Sequence, residues 1–130
     1  MNIILLIGRI LLGGYFFIEG ANHFLKLNDL TNYAKSKGIP LPQASVIVSG
    51  LLLLIGGLGI LLGVYVHMAI IALIVFLIPV TFTMHAFWKD SDKMARMSGK
   101  INFMKNMALL GSLLMLYALY SFDWSFVIGN

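Results

Sequence analysis

The chain has 130 residues, of which 60 % are hydrophobic and only 11 % are charged, and its mean hydropathy is +0.94. That is too little polar surface for a water-soluble globule of this size, so the composition indicates an integral membrane protein. The sequence contains no cysteine, which excludes thiol nucleophiles and iron–sulfur clusters, and its net charge of +4 lies beside apolar segments, which argues against a nucleic-acid partner.

Four apolar stretches are each long enough to cross a membrane. They cover residues 3–25, 44–64, 66–88 and 103–122. About 20 residues at a rise of about 1.5 Å each match a hydrocarbon core of about 30 Å. The sequence therefore predicts one all-α domain over residues 1–130, an integral membrane four-helix bundle with the lipid bilayer as its surroundings.

The distribution of basic residues predicts how the bundle is oriented. Lysine and arginine are concentrated in the two loops at residues 26–43 and 89–105, and on the opposite side they are absent outside the apolar stretches. By the positive-inside rule, both loops face the cytoplasm and both termini face outward. We expect a multi-pass protein of a bacterial inner membrane, with Trp88 and Trp124 as aromatic anchors at opposite interfaces.

Two further segments have local signals. Residues 29–37 read as an amphipathic helix that is capped by Asn28 or Asp29, ends at Gly38 and lies on the membrane surface. The second span is rich in glycine, which lets helix backbones approach closely, so we expect this span to be central in the bundle. Its glycines are Gly50, Gly56, Gly57, Gly59 and Gly63.

Four polar residues stand out because they lie within or beside apolar spans. Glu19 and His23 are four residues apart and share one face of span one. His85 lies near the end of span three, with Thr81 one turn earlier, and Asn106 lies near the start of span four. All these positions fall at the cytoplasmic side. We therefore expect Glu19, His23, His85 and Asn106 to converge and to form a candidate ligand-binding cluster.

The residue types in this cluster leave several kinds of site open. Two histidines and a carboxylate are an allowed metal set, but no motif completes it, and two histidines are also a possible haem ligand pair. A quinone fits the residue types better, since a histidine that titrates near neutrality donates to a quinone oxygen while a carboxylate orients it. A buried hydrogen-bond network that only holds the helices in register is the remaining alternative. No catalytic residue is identified.

Other polar or conformationally special residues have structural interpretations. Pro79 lies inside span three, where it leaves the carbonyl of Val75 without its helical donor and produces a kink, which Thr83 or a neighbouring helix would repair. Arg9 in span one is expected to pair with Asp123 at the outer end of span four, or to extend toward the lipid headgroups.

The order of motifs resembles the DoxX family of small four-span bacterial membrane proteins. Span one contains Gly8-Arg9-Ile10, Glu19-Gly20 and His23-Phe24, and the first loop contains Gly38-Ile39-Pro40. Span two ends in a run of glycines from Gly56 to Gly63, followed by His85-Ala86-Phe87-Trp88 and by Lys105-Asn106 at the start of span four.

This resemblance implies an accessory subunit of a redox system, because the family takes its name from a membrane component of a thiosulfate:quinone oxidoreductase. A quinone is then the possible cofactor, and a protein partner or a second copy of the chain is expected. A non-enzymatic adaptor or chaperone for partner proteins is the alternative, since other relatives resemble such proteins. A small transporter is a third hypothesis.

Overall fold

The computed structural model describes residues 3–119, and every long element within this range is an α-helix. The helices are α1 (Ile3–Leu25), α2 (Leu27–Ser36), α3 (Pro42–Leu62), α4 (Val66–Thr83) and α5 (Lys93–Ala118). A short 3₁₀ turn at Phe87–Lys89 joins α4 to α5. Four helical segments are long and apolar enough to cross a membrane, which confirms the all-α membrane bundle.

The first connection is a single residue outside helical geometry, because Lys26 has φ −116° and ψ 35°. Only Lys26 separates α1 from α2, and its N–H still donates to the carbonyl of Asn22. The prediction that Asn28 or Asp29 caps α2 was wrong, because α2 starts at Leu27, directly after Lys26, and no side chain within residues 3–119 caps it. Its end was predicted correctly. Gly38 is left-handed at φ +76° and donates to Lys35, while Ile39 donates to Ala34, which together close a Schellman motif.

Turn residues set the limits of α3. Pro42 occupies the first turn, where its missing N–H is not needed, so the helix begins two residues earlier than predicted. At the other end Gly63 is left-handed at φ +67°, and α3 ends just before it. A three-residue connection at 63–65 then returns the chain into α4, which packs antiparallel to α3.

The third span is helical for fewer residues than predicted. α4 ends at Thr83, and Trp88 lies beyond it in the 3₁₀ turn, so Trp88 does not continue the face that carries Thr81. The rings of Phe87 and Trp88 pack instead against Phe103 of α5, and the centroid of each lies 5.6 Å from the centroid of the Phe103 ring. This packing turns the chain out of the α4 axis, and Trp88 stays 46 % exposed at the edge of the bundle.

The last helix is longer than predicted at its start. α5 begins at Lys93, ten residues before the predicted position, because the Asp92 carboxylate accepts from the N–H of Ala95 at 2.9 Å and caps the first turn. The density of basic residues had suggested a loop over 89–105. The predicted end at residue 122 and the proposed roles of Asp123 and Trp124 lie outside the described residues.

α3 contacts more helices than any other, as its glycines predicted. It packs against α1, α2 and α4, whereas α5 packs against α4. Among the described residues, no Cα atoms of α1 and α5 approach within 8 Å, so these two helices are separated by a cleft that only side chains bridge. The end of the bundle with α2 and residues 84–92 is called the loop end, and the end with residues 63–65 the turn end.

Arg9 is buried at the turn end, with 3 % of its surface exposed. Its Nε donates to the carbonyl of Ile60 at 3.2 Å and its Nη2 to the carbonyl of Leu61 at 3.0 Å. These carbonyls belong to the last turn of α3 and have no helical donor. The guanidinium therefore caps α3, and it does not extend toward the headgroups.

Candidate functional site

A cavity of about 180 Å³ lies at the loop end, in the cleft between α1 and α5. The wall of the cavity that faces the turn end is apolar and includes Phe16, Leu53, Phe76 and Leu77. The cleft leaves room for polar side chains that the membrane interior would otherwise exclude. The polar or titratable residues that line it are Tyr15, Glu19, His23, Tyr33, His85, Lys105 and Asn106.

All four residues of the predicted cluster line this one cavity. Glu19 and His23 come from α1, His85 from the segment after α4, and Asn106 from α5. The helix ends bring them together because α1 and α4 finish, and α5 starts, at the same end of the antiparallel bundle. Thr81 is 1 % exposed but is not part of the cavity wall.

His23 is fixed by its own helix. Its Nδ1 lies 2.8 Å from the backbone carbonyl of Glu19. A carbonyl only accepts, so Nδ1 carries the proton and Nε2 is the acceptor of the neutral ring. The ring edge packs against Phe76, with centroids 6.0 Å apart. His23 therefore contributes a defined tautomer to the cavity wall.

His85 is different because its Nδ1 is buried and has no hydrogen-bond partner among the described residues 3–119. Buried polar atoms are nearly always paired, and an unpaired one costs about 1–3 kcal/mol. His85 follows the end of α4, so it is not held by a helical turn on its C-terminal side. A water or a ligand in the cavity is the available partner for Nδ1.

Two α5 residues complete the far wall. Asn106 is 6 % exposed and brings an amide, which both donates and accepts. Next to it, the Lys105 Nζ lies 5.6 Å from the centroid of the Tyr15 ring, a cation–π contact that reaches across the cleft to α1. The site thus combines hydrogen-bond donors, a carboxylate and a cation above an apolar floor.

α2 covers the cavity at the loop end, and its location on the membrane surface stays a prediction. Leu30 and Tyr33 line the cavity, and Ala34 is 2 % exposed. Lys37 then joins this cover to the α4–α5 connection, with its Nζ 3.1 Å from the Asp90 carboxylate. The shared face of Leu30, Tyr33 and Ala34 was visible in the sequence, but that pattern fits a bilayer and a protein surface equally well.

Pro79 lies in α4 below the site. The Thr83 hydroxyl donates to the Pro79 carbonyl at 2.6 Å, so it does not replace the donor that Pro79 withholds from Val75, the repair suggested by the sequence. Both Pro79 and Thr83 are exposed on the outside of the bundle. Their hydrogen bond is the contact that a threonine hydroxyl often makes with the carbonyl four residues earlier in a helix, and it lies next to the point where α4 ends before His85.

The size and composition of the cavity limit its contents. Within residues 3–119, no three His, Asp or Glu side chains are grouped so as to hold a metal ion. An apolar cavity of about 150 Å³ takes up a benzene molecule, so 180 Å³ accommodates a single substituted six-membered ring. Haem, whose macrocycle joins four pyrrole rings, is far larger than this space.

Comparison with known protein families gives one result. The family model described as DoxX matches residues 4–86, which is more than half of the chain and includes α1 to α4 with Glu19, His23 and His85. No curated protein and no solved structure matches the chain. The matched segment ends at the residue after His85, so Asn106 and Lys105 lie beyond it.

Proposed function

The chain belongs to the DoxX family, and from this premise we propose that it is an accessory membrane subunit of a quinone-linked redox system whose loop-end cavity binds the quinone ring. The observation that supports this proposal most directly is the buried Nδ1 of His85, which lies at the wall of a ring-sized cavity and has no partner in the part of the chain that the structure describes. A protein interior tolerates such an atom when a ligand pairs with it.

The remaining residues fit a quinone in chemical type. A ring needs an apolar slot, which Phe16, Leu53 and Phe76 supply, and its carbonyl oxygens need donors at the edge. The Asn106 amide and the His85 ring are such donors, and the Lys105 ammonium favours negative charge on an oxygen. When bound, a quinone takes up two electrons, which a partner redox protein would deliver, and two protons.

The protein's part in this chemistry is to hold the ring and to supply protons. His85 is the proposed hydrogen-bond anchor and proton donor, because no described side chain or backbone group competes for its Nδ1. Glu19 and His23 are the proposed relay pair, since the tautomer of His23 leaves Nε2 free to accept a proton. Asn106 would orient the ring without exchanging protons.

The test compares His85→Ala with His67→Ala, which removes the same ring at the turn end. Purified protein in mild detergent is incubated with a decyl-substituted benzoquinone, separated by gel filtration and extracted for mass spectrometry. Loss of one hydrogen bond of about 1.4 kcal/mol lowers affinity tenfold, so we expect His85→Ala to retain about ten times less quinone. His67→Ala should retain as much as the native chain.

Equal retention by native protein and folded His85→Ala, or none by either, would contradict the proposal. The cavity would then be a hydrated polar network, with room for about six waters at about 30 Å³ each. In that outcome the adaptor hypothesis becomes the better account of the chain, because it requires no ligand in the cavity.

The ion pair between α2 and the α4–α5 connection should control how often the cover opens. We expect the α2 amides, residues 27–36, to exchange hydrogen roughly two- to fivefold faster in Lys37→Gln, because a partly exposed pair contributes up to about 1 kcal/mol. Lys35→Gln is the matched control, since Lys35 lies two residues earlier in the last turn of α2, is exposed and makes no ion pair within residues 3–119. Identical exchange in the two variants would show that packing alone closes the cover.

A further inference from the structure

Positive charge accumulates at the loop end. Four carboxylates, those of Glu19, Asp29, Asp90 and Asp92, are too few to neutralise the cations there. Part of this excess is concentrated on the first two turns of α5. Eight of the nine basic residues lie at this end, namely Lys26, Lys35, Lys37, Lys89, Lys93, Arg96, Lys100 and Lys105.

α5 is longer than a bilayer requires. Its 26 residues span about 39 Å, which exceeds a hydrocarbon core of about 30 Å by about six residues. The excess belongs at the loop end, because the first two turns hold the basic residues. Lys93, Arg96 and Lys100 are spaced three and four residues apart and share one helix face at headgroup level.

These three residues, with Phe87 and Met97, line a groove of about 350 Å³ that is called the basic groove. Among residues 3–119, no carboxylate pairs with any of the three cations. The two carboxylates nearest in sequence have other contacts, because Asp90 binds Lys37 and Asp92 caps α5. The groove therefore presents three positive charges that have no ion-pair partner among these residues, and they are available to an outside anion.

The surface below the groove is apolar. Met97, Ile101 and Met104 continue down α5 at spacings of four and three residues, and they are 53 %, 63 % and 59 % exposed. A ligand that binds both the cations and this apolar surface must carry an apolar tail that reaches into the hydrocarbon layer. A phospholipid has both parts, a phosphate at headgroup level and acyl chains in the hydrocarbon layer.

We propose that the basic groove is a binding site for one anionic phospholipid. Its phosphate lies between Lys93, Arg96 and Lys100, and its acyl chains follow the stripe of Met97, Ile101 and Met104. A soluble protein partner would gain charge contacts from the cations but would not reach the stripe. This site is separate from the cavity, since the two share no lining residue.

The test uses the whole chain in detergent and native mass spectrometry during titration with dioleoyl phosphatidylglycerol or dioleoyl phosphatidylcholine. The variant is Arg96→Gln with Lys100→Gln, and the control is Lys26→Gln with Lys35→Gln, which removes the same charge at the same end. Each basic residue near a membrane surface contributes about fivefold, so we expect the groove variant to bind phosphatidylglycerol about 25-fold more weakly. The control should bind as the native chain does, and phosphatidylcholine should bind weakly to all three.

Three outcomes would overturn the proposal. Equal losses in both variants would show attraction by the overall charge of the loop end, with no site. Displacement of the phospholipid by inorganic phosphate at low concentration would show an anion site that does not use the acyl chains. Unchanged lipid binding in the groove variant, together with the loss of a co-purifying protein, would assign the groove to a protein partner.

Discussion

Gly13→Ala should be among the most destabilising single-methyl changes in this protein. A Cβ on Gly13 would lie 2.8 Å from the carbonyl oxygen of Gly57 and 2.8 Å from the nitrogen of Leu61, both backbone atoms of α3. Backbone cannot rotate away as a side chain can, so α1 and α3 must separate along their contact. We expect a loss of about 1–3 kcal/mol, which is typical of overpacking, and a lower Tm in detergent.

The neighbouring residue provides the control. Among the described residues, no atom of another helix lies within 4 Å of the position where a Cβ would be added to Gly14. Gly14→Ala should therefore leave the Tm unchanged or raise it slightly, because alanine favours a helix over glycine by about 1 kcal/mol. The two variants add the same atoms one residue apart. If both lowered the Tm equally, a change in lipid contacts would be responsible, and the close approach of α1 to α3 would not.

Arg9→Met should also destabilise the bundle strongly. The substitution keeps an unbranched side chain but leaves the Ile60 and Leu61 carbonyls without the donors they now have. Each of the two hydrogen bonds from the charged guanidinium contributes about 1.5–3 kcal/mol. Removing a charge from the membrane interior returns roughly 2.5–3.5 kcal/mol, which is less than a typical value for the two bonds together. We therefore expect a net loss of about 1–2 kcal/mol and a lower Tm.

Arg9→Lys distinguishes the roles of charge and shape. Lysine keeps the positive charge but has a single ammonium in place of the planar fork that now reaches two carbonyls. Its Tm should fall between those of the native chain and Arg9→Met. A Met variant as stable as the native protein would mean that the desolvation of the guanidinium cancels its capping of α3.

Much of the fold follows from the sequence because membrane helices are local in origin. Span length comes from the bilayer thickness, and the central place of α3 comes from residues such as Gly56 and Gly57. The location of Glu19, His23 and His85 around one space was also predictable. Chain order places the ends of α1 and α4 together, and buried polar groups avoid lipid.

Other features depend on partners that a sequence does not specify. The density of charges over residues 89–105 suggested a loop, yet the Asp92 cap starts α5 within it, since a helix can extend beyond the bilayer. The partner of Arg9 depends on the α1–α3 contact, which sets the carbonyls of Ile60 and Leu61 beside it. The cleft between α1 and α5, and hence the cavity, depends on the order in which the helices pack.

The capping of α3 by Arg9 also has a consequence for biosynthesis. The carbonyls that accept from Arg9 follow it by 51 and 52 residues, and a ribosome that adds about 5–20 residues per second needs about 3–10 s to make that segment. Throughout this interval the guanidinium has no α3 to bind. We therefore expect α1 to stay near the translocon or the headgroups until α3 has been made, so that α1 and α3 enter the hydrocarbon layer as a pair.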